Sequence, residues 1–227
     1  MSMSTVPVRV GSVEVFLHRV LTAAEAAAYA DLVVHPAPEL RDACWHAEAA
    51  LTTIGAPLYC NRDDPRRYAE LARSTNRMLY EAYRGLHDRV ADVFENRYGA
   101  PVAFVDELAV PGFHLMQYAG PGRHYGGGWH LDRLATQVPY FVEHAAEIRG
   151  VLNFTLPLAV PKGGTGMDLR DGGGEPVHVP YEPGVMLFNE HEIVHRIGAS
   201  TCLSAGETRL TLQGHGVLFR GRVLLFW

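Results

Sequence analysis

Lysine is almost absent: Lys162 stands alone among 20 cationic residues, and against 25 acidic ones the chain carries a formal charge of −5. There is no block of like charge either. The chain therefore offers no basic face for nucleic-acid phosphates or an anionic membrane surface. Cysteine is scarce too. Cys44, Cys60 and Cys202 are odd in number, widely spaced and without a C-x-x-C pair. That argues against a disulfide framework and a zinc–cysteine site, and fits a reducing compartment. No apolar run approaches the ~18 residues of a membrane span, and the N-terminus lacks a basic segment followed by an apolar one. These absences leave a cytoplasmic protein with a small-molecule partner as the expectation. They say nothing about oligomeric state.

What is present is 227 residues at 48% apolar content, enough for one substantial core and a single domain over 1–227. The first hundred residues are helical in texture. Thr22 and Glu25 form a capping box for a helix running to about Val34, where His35-Pro36 ends it. Ala37 to Arg62 is irregular and reads as a covering loop with one helical turn. Asp64-Pro65 opens a second helix whose apolar residues, from Tyr68 to Tyr98, recur near a 3.6 period. It should stop at Gly99-Ala100-Pro101, as one long helix or as two collinear ones broken near Ser74-Thr75-Asn76.

Before the helices, Val6 to Phe16 is strand-like. From Val102 the texture changes to short apolar strands between Gly/Pro turns, the pattern of a sandwich or barrel. The strands expected are Val102–Val110, Phe113–Tyr118, Gly128–Asp132, Val151–Ala159, Met167–Arg170, Pro176–Val179, Val185–Phe188, Ile193–Ile197, Thr208–Gly214 and Val217–Phe226, with a helical interruption around Tyr140–Ile148. The fold class is thus mainly β, a β core over 101–227 packed against a helical jacket over 1–100.

Within the β region, Trp129-His130-Leu131-Asp132 places a histidine and a carboxylate two residues apart, on one face if the strand is extended. With His195 from another strand they would make a two-histidine, one-carboxylate triad, a geometry suited to non-haem Fe(II) because positions stay open for other ligands. A rival motif overlaps it. His191-Glu192-Ile193-Val194-His195 is a literal H-E-x-x-H, the zinc-peptidase pattern, which requires a helix and a third ligand. Here Pro183-Gly184-Val185-Met186-Leu187-Phe188 reads as a strand entering the motif, and Thr201 occupies the position of the third histidine. A non-catalytic, cupin-like metal-binding barrel is the other alternative.

Taken together, several stretches resemble the Fe(II)- and 2-oxoglutarate-dependent oxygenases, in particular their prolyl-hydroxylase-like branch. They are FLHRVLTAAEAAAYADLV, MQYAGPGRHYGGGWHLD, GVLNFTLPL, GGTGMDLRDGG, YEPGVMLFNEHEIVHRI and TRLTLQGHG, which span most of residues 110–216. The resemblance implies a double-stranded β-helix (jelly-roll) core and a dioxygenase activity, hydroxylation by default; with no groove-forming extension or peptide-binding module in the sequence, a small polar metabolite or natural-product intermediate is the expected substrate. It implies that His130, Asp132 and His195 bind Fe(II) and that Arg209 pairs with the distal carboxylate of 2-oxoglutarate, with O2 as the other co-substrate. Thr211, Tyr118 and Asn153 fall where similar proteins line the co-substrate pocket. Arg133, Arg170, His191 and Trp129 are the substrate-side candidates, and Arg123, His124 and His178 join them on loops expected around one barrel mouth. Two departures stand out: a long gap from His195 to Arg209, and the Gly126-Gly127-Gly128 insertion.

Overall fold

The computed structural model describes residues 5–48, 51–61, 63–133, 138–142, 144–202 and 204–227. The expected strand Val6–Phe16 is a hairpin, β1 (Thr5–Val10) and β2 (Val13–Arg19), turning at Gly11 with φ of 62°. Helix α1 (Ala23–Val34) opens with the capping box: Thr22 Oγ1 accepts from Glu25 N–H at 3.2 Å, and Glu25 accepts from Thr22 N–H at 2.8 Å.

The stretch expected to be a covering loop has more structure than its sequence suggested. It contains α2 (Pro38–Cys44), the hairpin β3 (Trp45–Glu48) and β4 (Leu51–Ile54), and α3 (Leu58–Asn61). Strand β4 is short, and its partner β6 (Gly112–Gln117) lies some sixty residues away in sequence, so the pairing has no local signal.

Helix α4 (Pro65–Ala82) starts at Asp64, whose carboxylate accepts from Arg67 N–H at 3.0 Å. The break falls at Tyr83 rather than near Ser74-Thr75-Asn76. Ser74 and Thr75 turn their hydroxyls onto the Leu71 carbonyl, which keeps both residues helical. Helix α5 (Arg84–Tyr98) ends at left-handed Gly99, φ 61°. The Asn76 amide bonds the Leu108 carbonyl and the Val110 N–H at 2.9 Å each. That latch takes backbone groups a strand would need, so only β5 (Val102–Ala103) forms where Val102–Val110 was expected.

The remaining elements are β7 (Gly122–His130), α6 (Pro139–Val142), a 3-10 turn (Ala145–Glu147), β8 (Ile148–Ala159), β9 (Gly166–Arg170), β10 (Val177–Pro180), β11 (Val185–Asn189), β12 (Val194–Cys202), β13 (Thr208–Phe219) and β14 (Arg222–Phe226). Of the expected helix around Tyr140–Ile148, residue 143 lies outside the described residues. Strand β13 runs through Gly214 and Gly216 and turns at Arg220-Gly221 instead. A Cβ on Gly214 would sit 2.6 Å from the Phe154 ring, so that glycine serves close packing and not a turn.

Two sheets face each other. The larger has the order β1-β2-β11-β8-β13-β6-β4-β3, with β14 pairing to β13 and β5; the smaller is β10-β9-β12-β7. Apart from β14 with β5, every pairing is antiparallel. This is the jelly-roll architecture. Alternation along the large sheet sets its two faces. Leu152, Phe154, Leu156, Leu210, Leu212, Phe113 and Phe188 point outward and pack with Leu79, Leu86, Val90 and Phe94 of α4 and α5. The polar alternates, Asn153, Thr155, Thr211, Gln213 and His215 among them, therefore face the space between the sheets.

Candidate functional site

His130 ends β7 and His195 lies at the start of β12, and the two are direct cross-strand partners in the small sheet. Their ring centroids are 4.3 Å apart. Each imidazole is held the same way: Nδ1 lies 2.9 Å from the carbonyl two residues back, Gly128 for His130 and Ile193 for His195. With Nδ1–H donating there, each Nε2 keeps its lone pair for a metal.

Asp132 follows β7 outside regular structure, so the shared strand face expected for His130 and Asp132 is not what aligns them. The backbone beyond the strand end brings the carboxylate round, with Oδ2 3.5 Å from His195 Nε2. One ligand atom from each of the three residues lies within 4.8 Å of the others. Metal–ligand bonds of about 2.0–2.2 Å put neighbouring ligand atoms roughly 3 Å apart, so the 3.5 Å separation suits a shared ion. Burial pushes the His195 pKa down, opposed by the Asp132 charge, a direction that favours the neutral ring a metal needs.

The triad opens on a cavity of about 120 Å³ between the sheets. Two cross-strand rows of the large sheet line it, Asn189–Asn153–His215 and Leu187–Thr155–Gln213. Side-chain bonds hold the first of these rows. His215 Nδ1 lies 2.6 Å from Asn153 Oδ1, and the Asn189 amide donates to the His191 carbonyl. His114, also in the wall, has Nε2 2.6 Å from the Tyr59 hydroxyl. Burial, with Arg209 and His215 adding to it, pushes the His114 pKa down to about 3.

Arg209 and Thr211 continue the same face of β13 deeper into the barrel, and both are fully buried. None of the three guanidinium nitrogens and not the Thr211 hydroxyl has a hydrogen-bond partner among the described residues. The Arg209 Cζ lies 5.4 Å from the centre of the Tyr181 ring. Burial raises the pKa of that tyrosine's hydroxyl, and the guanidinium opposes the rise. A buried guanidinium with no carboxylate beside it among the described residues is so costly that its surroundings call for an anion.

The structure thus brings together His130, Asp132, His195 and Asn153 around one cavity and sets Arg209 and Thr211 on its inner strand face. Tyr118, just past β6, is buried with its ring 4.8 Å from that of His124, outside the cavity wall. The substrate-side expectations fare differently. Trp129 and Arg170 lie on the opposite face of the small sheet, because they are out of phase with His130 and His195. There Trp129 is held between Arg170 and Arg196, whose Cζ atoms are 4.6 and 4.5 Å from its ring. His178 bonds Asp168 at 2.7 Å on that outer side, not at the barrel mouth. Arg133 and His191 are exposed beside the site.

Residues 190–193 are not helical, so His191 and His195 do not share a helix face as the H-E-x-x-H reading requires. Sequence reasoning passed over His114, Gln213, His215 and Tyr59. The signal for two of them was present: Gln213 and His215 extend the every-second-residue series begun by Arg209 and Thr211.

No family model matches the sequence, and no curated protein matches it. Among solved structures, the chain is similar to an N-substituted L-amino acid dioxygenase from Burkholderia ambifaria AMMD, solved in complex with alpha-KG. The TM-score is 0.56 at 12% identity over 99% of this chain and 100% of that one. It also matches a Pseudomonas putida prolyl-4-hydroxylase, TM-score 0.40 at 16% identity, over 97% and 95% of the two chains. A third match is SnoN, a non-heme alpha ketoglutarate dependent epimerase from nogalamycin biosynthesis, TM-score 0.41 at 17% identity over 88% and 76%. The first of these shows that the chain shares its fold with such a dioxygenase.

Proposed function

We propose that this chain is an Fe(II)- and 2-oxoglutarate-dependent oxygenase acting on a small polar metabolite. The observation that carries the reading is Arg209, a fully buried guanidinium with no carboxylate partner among the described residues, on the strand face that leads to the His130–Asp132–His195 cluster. A metal site needs no such cation, and a five-carbon dicarboxylate reaching from metal to arginine uses both ends.

The donor set fits the metal. Two neutral imidazoles and one carboxylate leave open positions, as the facial triad of non-haem Fe(II) oxygenases does. His130, Asp132 and His195 would hold the iron, oriented by the Gly128 and Ile193 carbonyls. Arg209 would clamp the distal carboxylate, a match of guanidinium fork to carboxylate geometry, with Thr211 adding its hydroxyl. Asn153 would contribute from the wall beside the triad. Bound Fe(II) and 2-oxoglutarate supply oxygen activation coupled to decarboxylation of the 2-oxo acid to succinate. The protein's part is to hold both reactants in register and keep water out of an apolar-backed cavity.

Hydroxylation is the default outcome, and retention of the Asp132 carboxylate argues against halogenation. The amide and imidazole groups of Asn189, Asn153, Gln213 and His215 favour a polar metabolite or natural-product intermediate over an apolar one. Arg133 and His191, at the exposed edge of the site, are the remaining substrate-side candidates. Screening such metabolites for stimulated succinate release under Fe(II), 2-oxoglutarate and O2 tests the proposal. Release that the His130→Ala protein matches at the wild-type rate would refute it.

A further inference from the structure

His114 is set apart by what its two ring nitrogens do. Nε2 meets the Tyr59 hydroxyl at 2.6 Å, while Nδ1 is buried with no partner among the described residues, in a side chain on a residue only 7% exposed. Directly across the ladder from His114 is Thr211, whose hydroxyl is also buried and unpartnered; two residues along β13 is Arg209, with three more such nitrogens. Directly opposed side chains have Cβ atoms about 4.5–5.5 Å apart, and diagonal neighbours at roughly 7–8 Å remain within reach of long side chains. His114 Nδ1, Thr211 Oγ1 and the guanidinium thus form one cluster on one face.

A bare lone pair on Nδ1 beside a guanidinium with idle N–H groups would accept one of them. No such bond forms, as is expected when both groups are donors waiting for a common acceptor.

We propose that His114 is a third contact of the 2-oxoglutarate distal carboxylate, donating from Nδ1 beside Arg209 and Thr211, and that Tyr59 fixes this tautomer by donating its hydroxyl to Nε2. The proposal rests on the oxygenase reading given above. It ties a residue of the N-terminal segment, Tyr59 on α3, to co-substrate binding through a side chain of the barrel wall. A buried hydrogen bond to a charged group is worth enough to matter.

The test exploits the two nitrogens separately. An asparagine amide can place its N–H where Nδ1 was, and a glutamine amide where Nε2 was. Fe(II)-loaded protein is titrated anaerobically with 2-oxoglutarate and, in parallel, with 2-oxopentanoate, which keeps the five-carbon 2-oxo acid chain without the distal carboxylate. Affinity is followed by the visible charge-transfer band or by displacement of a metal-bound reporter.

His114→Asn should hold 2-oxoglutarate within about threefold of wild type, while His114→Gln and His114→Ala should weaken it about tenfold, a shift of ~1.4 kcal/mol. Affinity for 2-oxopentanoate should stay level across the set, and Tyr59→Phe should weaken 2-oxoglutarate severalfold. Retention of Mn(II) and of the thermal transition checks that each variant is folded. Equal losses in the Asn and Gln proteins, equal losses for both 2-oxo acids, or no loss in any variant would overturn the assignment. A wild-type protein that binds Fe(II) yet not 2-oxoglutarate would instead overturn the oxygenase reading itself, leaving His114 without a ligand to serve.

Discussion

At the scale of single residues, the functional reading turns on a buried charge. Arg209 has no acidic partner among the described residues, and leaving a cation uncompensated in a protein interior costs several kcal/mol, whereas an apolar side chain of similar volume at such a site is often neutral or stabilising. Arg209→Met should therefore raise the melting temperature of the ligand-free protein or leave it unchanged, while 2-oxoglutarate affinity falls by about a hundredfold, two charge-assisted bonds at once. Differential scanning calorimetry and an anaerobic titration read the two quantities. A variant that lost stability and kept its affinity would mark Arg209 as structural. Asp132→Ala removes one of three ligands, so Mn(II) bound under equilibrium dialysis should drop by more than tenfold with the fold intact. Asp132 was singled out in the sequence by its spacing from His130, and Arg209 by the resemblance to the oxygenases. His114 was not, since a lone histidine in an apolar strand carries no mark of what faces it.

At the scale of elements, the strands announced themselves where alternation is strict. Leu152 to Leu158 alternates large apolar residues with Asn153, Thr155 and Pro157, and that stretch is β8 with its two faces as the period requires. Capping signals were equally readable. Thr22→Ala should cost about 1 kcal/mol by urea unfolding, the usual worth of an N-cap. Illegible were pairings that depend on distant partners, such as β4 with β6, and the phase of Trp129. That residue is one step from His130 along the strand, which in a sheet means the opposite face. Gly112 shows the same limit. A Cβ there would sit 2.1 Å from Trp227 Cε3 and 2.5 Å from the Ile54 carbonyl oxygen, contacts with segments far from it in sequence. Gly112→Ala should destabilise by about 1–3 kcal/mol, measurable as a lowered urea midpoint, through overpacking at a site where backbone cannot yield.

For the whole molecule, the architecture explains both the placement of the site and its response to acid. Histidines 87 and 114 are both buried, and burial lowers both pKa values, His114 to about 3. Unfolded, each would titrate near ~6.5, so between the folded and unfolded values the unfolded chain binds more protons. Their contribution to stability is thus complete above pH ~6.5 and is lost as pH falls toward the folded values. Urea midpoints should decline steadily from pH 7 to 4, and His87→Phe, which removes one titrating group away from the cavity, should flatten the decline. A midpoint that rose on acidification would reverse the sign. The jelly roll itself supplies the rest: it places the triad at strand ends of the small sheet and the buried guanidinium on the facing sheet.

Anaerobic addition of 2-oxoglutarate to the Fe(II)-loaded protein tests that arrangement most directly. A weak visible charge-transfer band should appear, saturate at one equivalent per chain and be lost in both Asp132→Ala and Arg209→Met at the same concentrations. No band in metal-loaded wild type, or a band undiminished in Arg209→Met, would contradict the account.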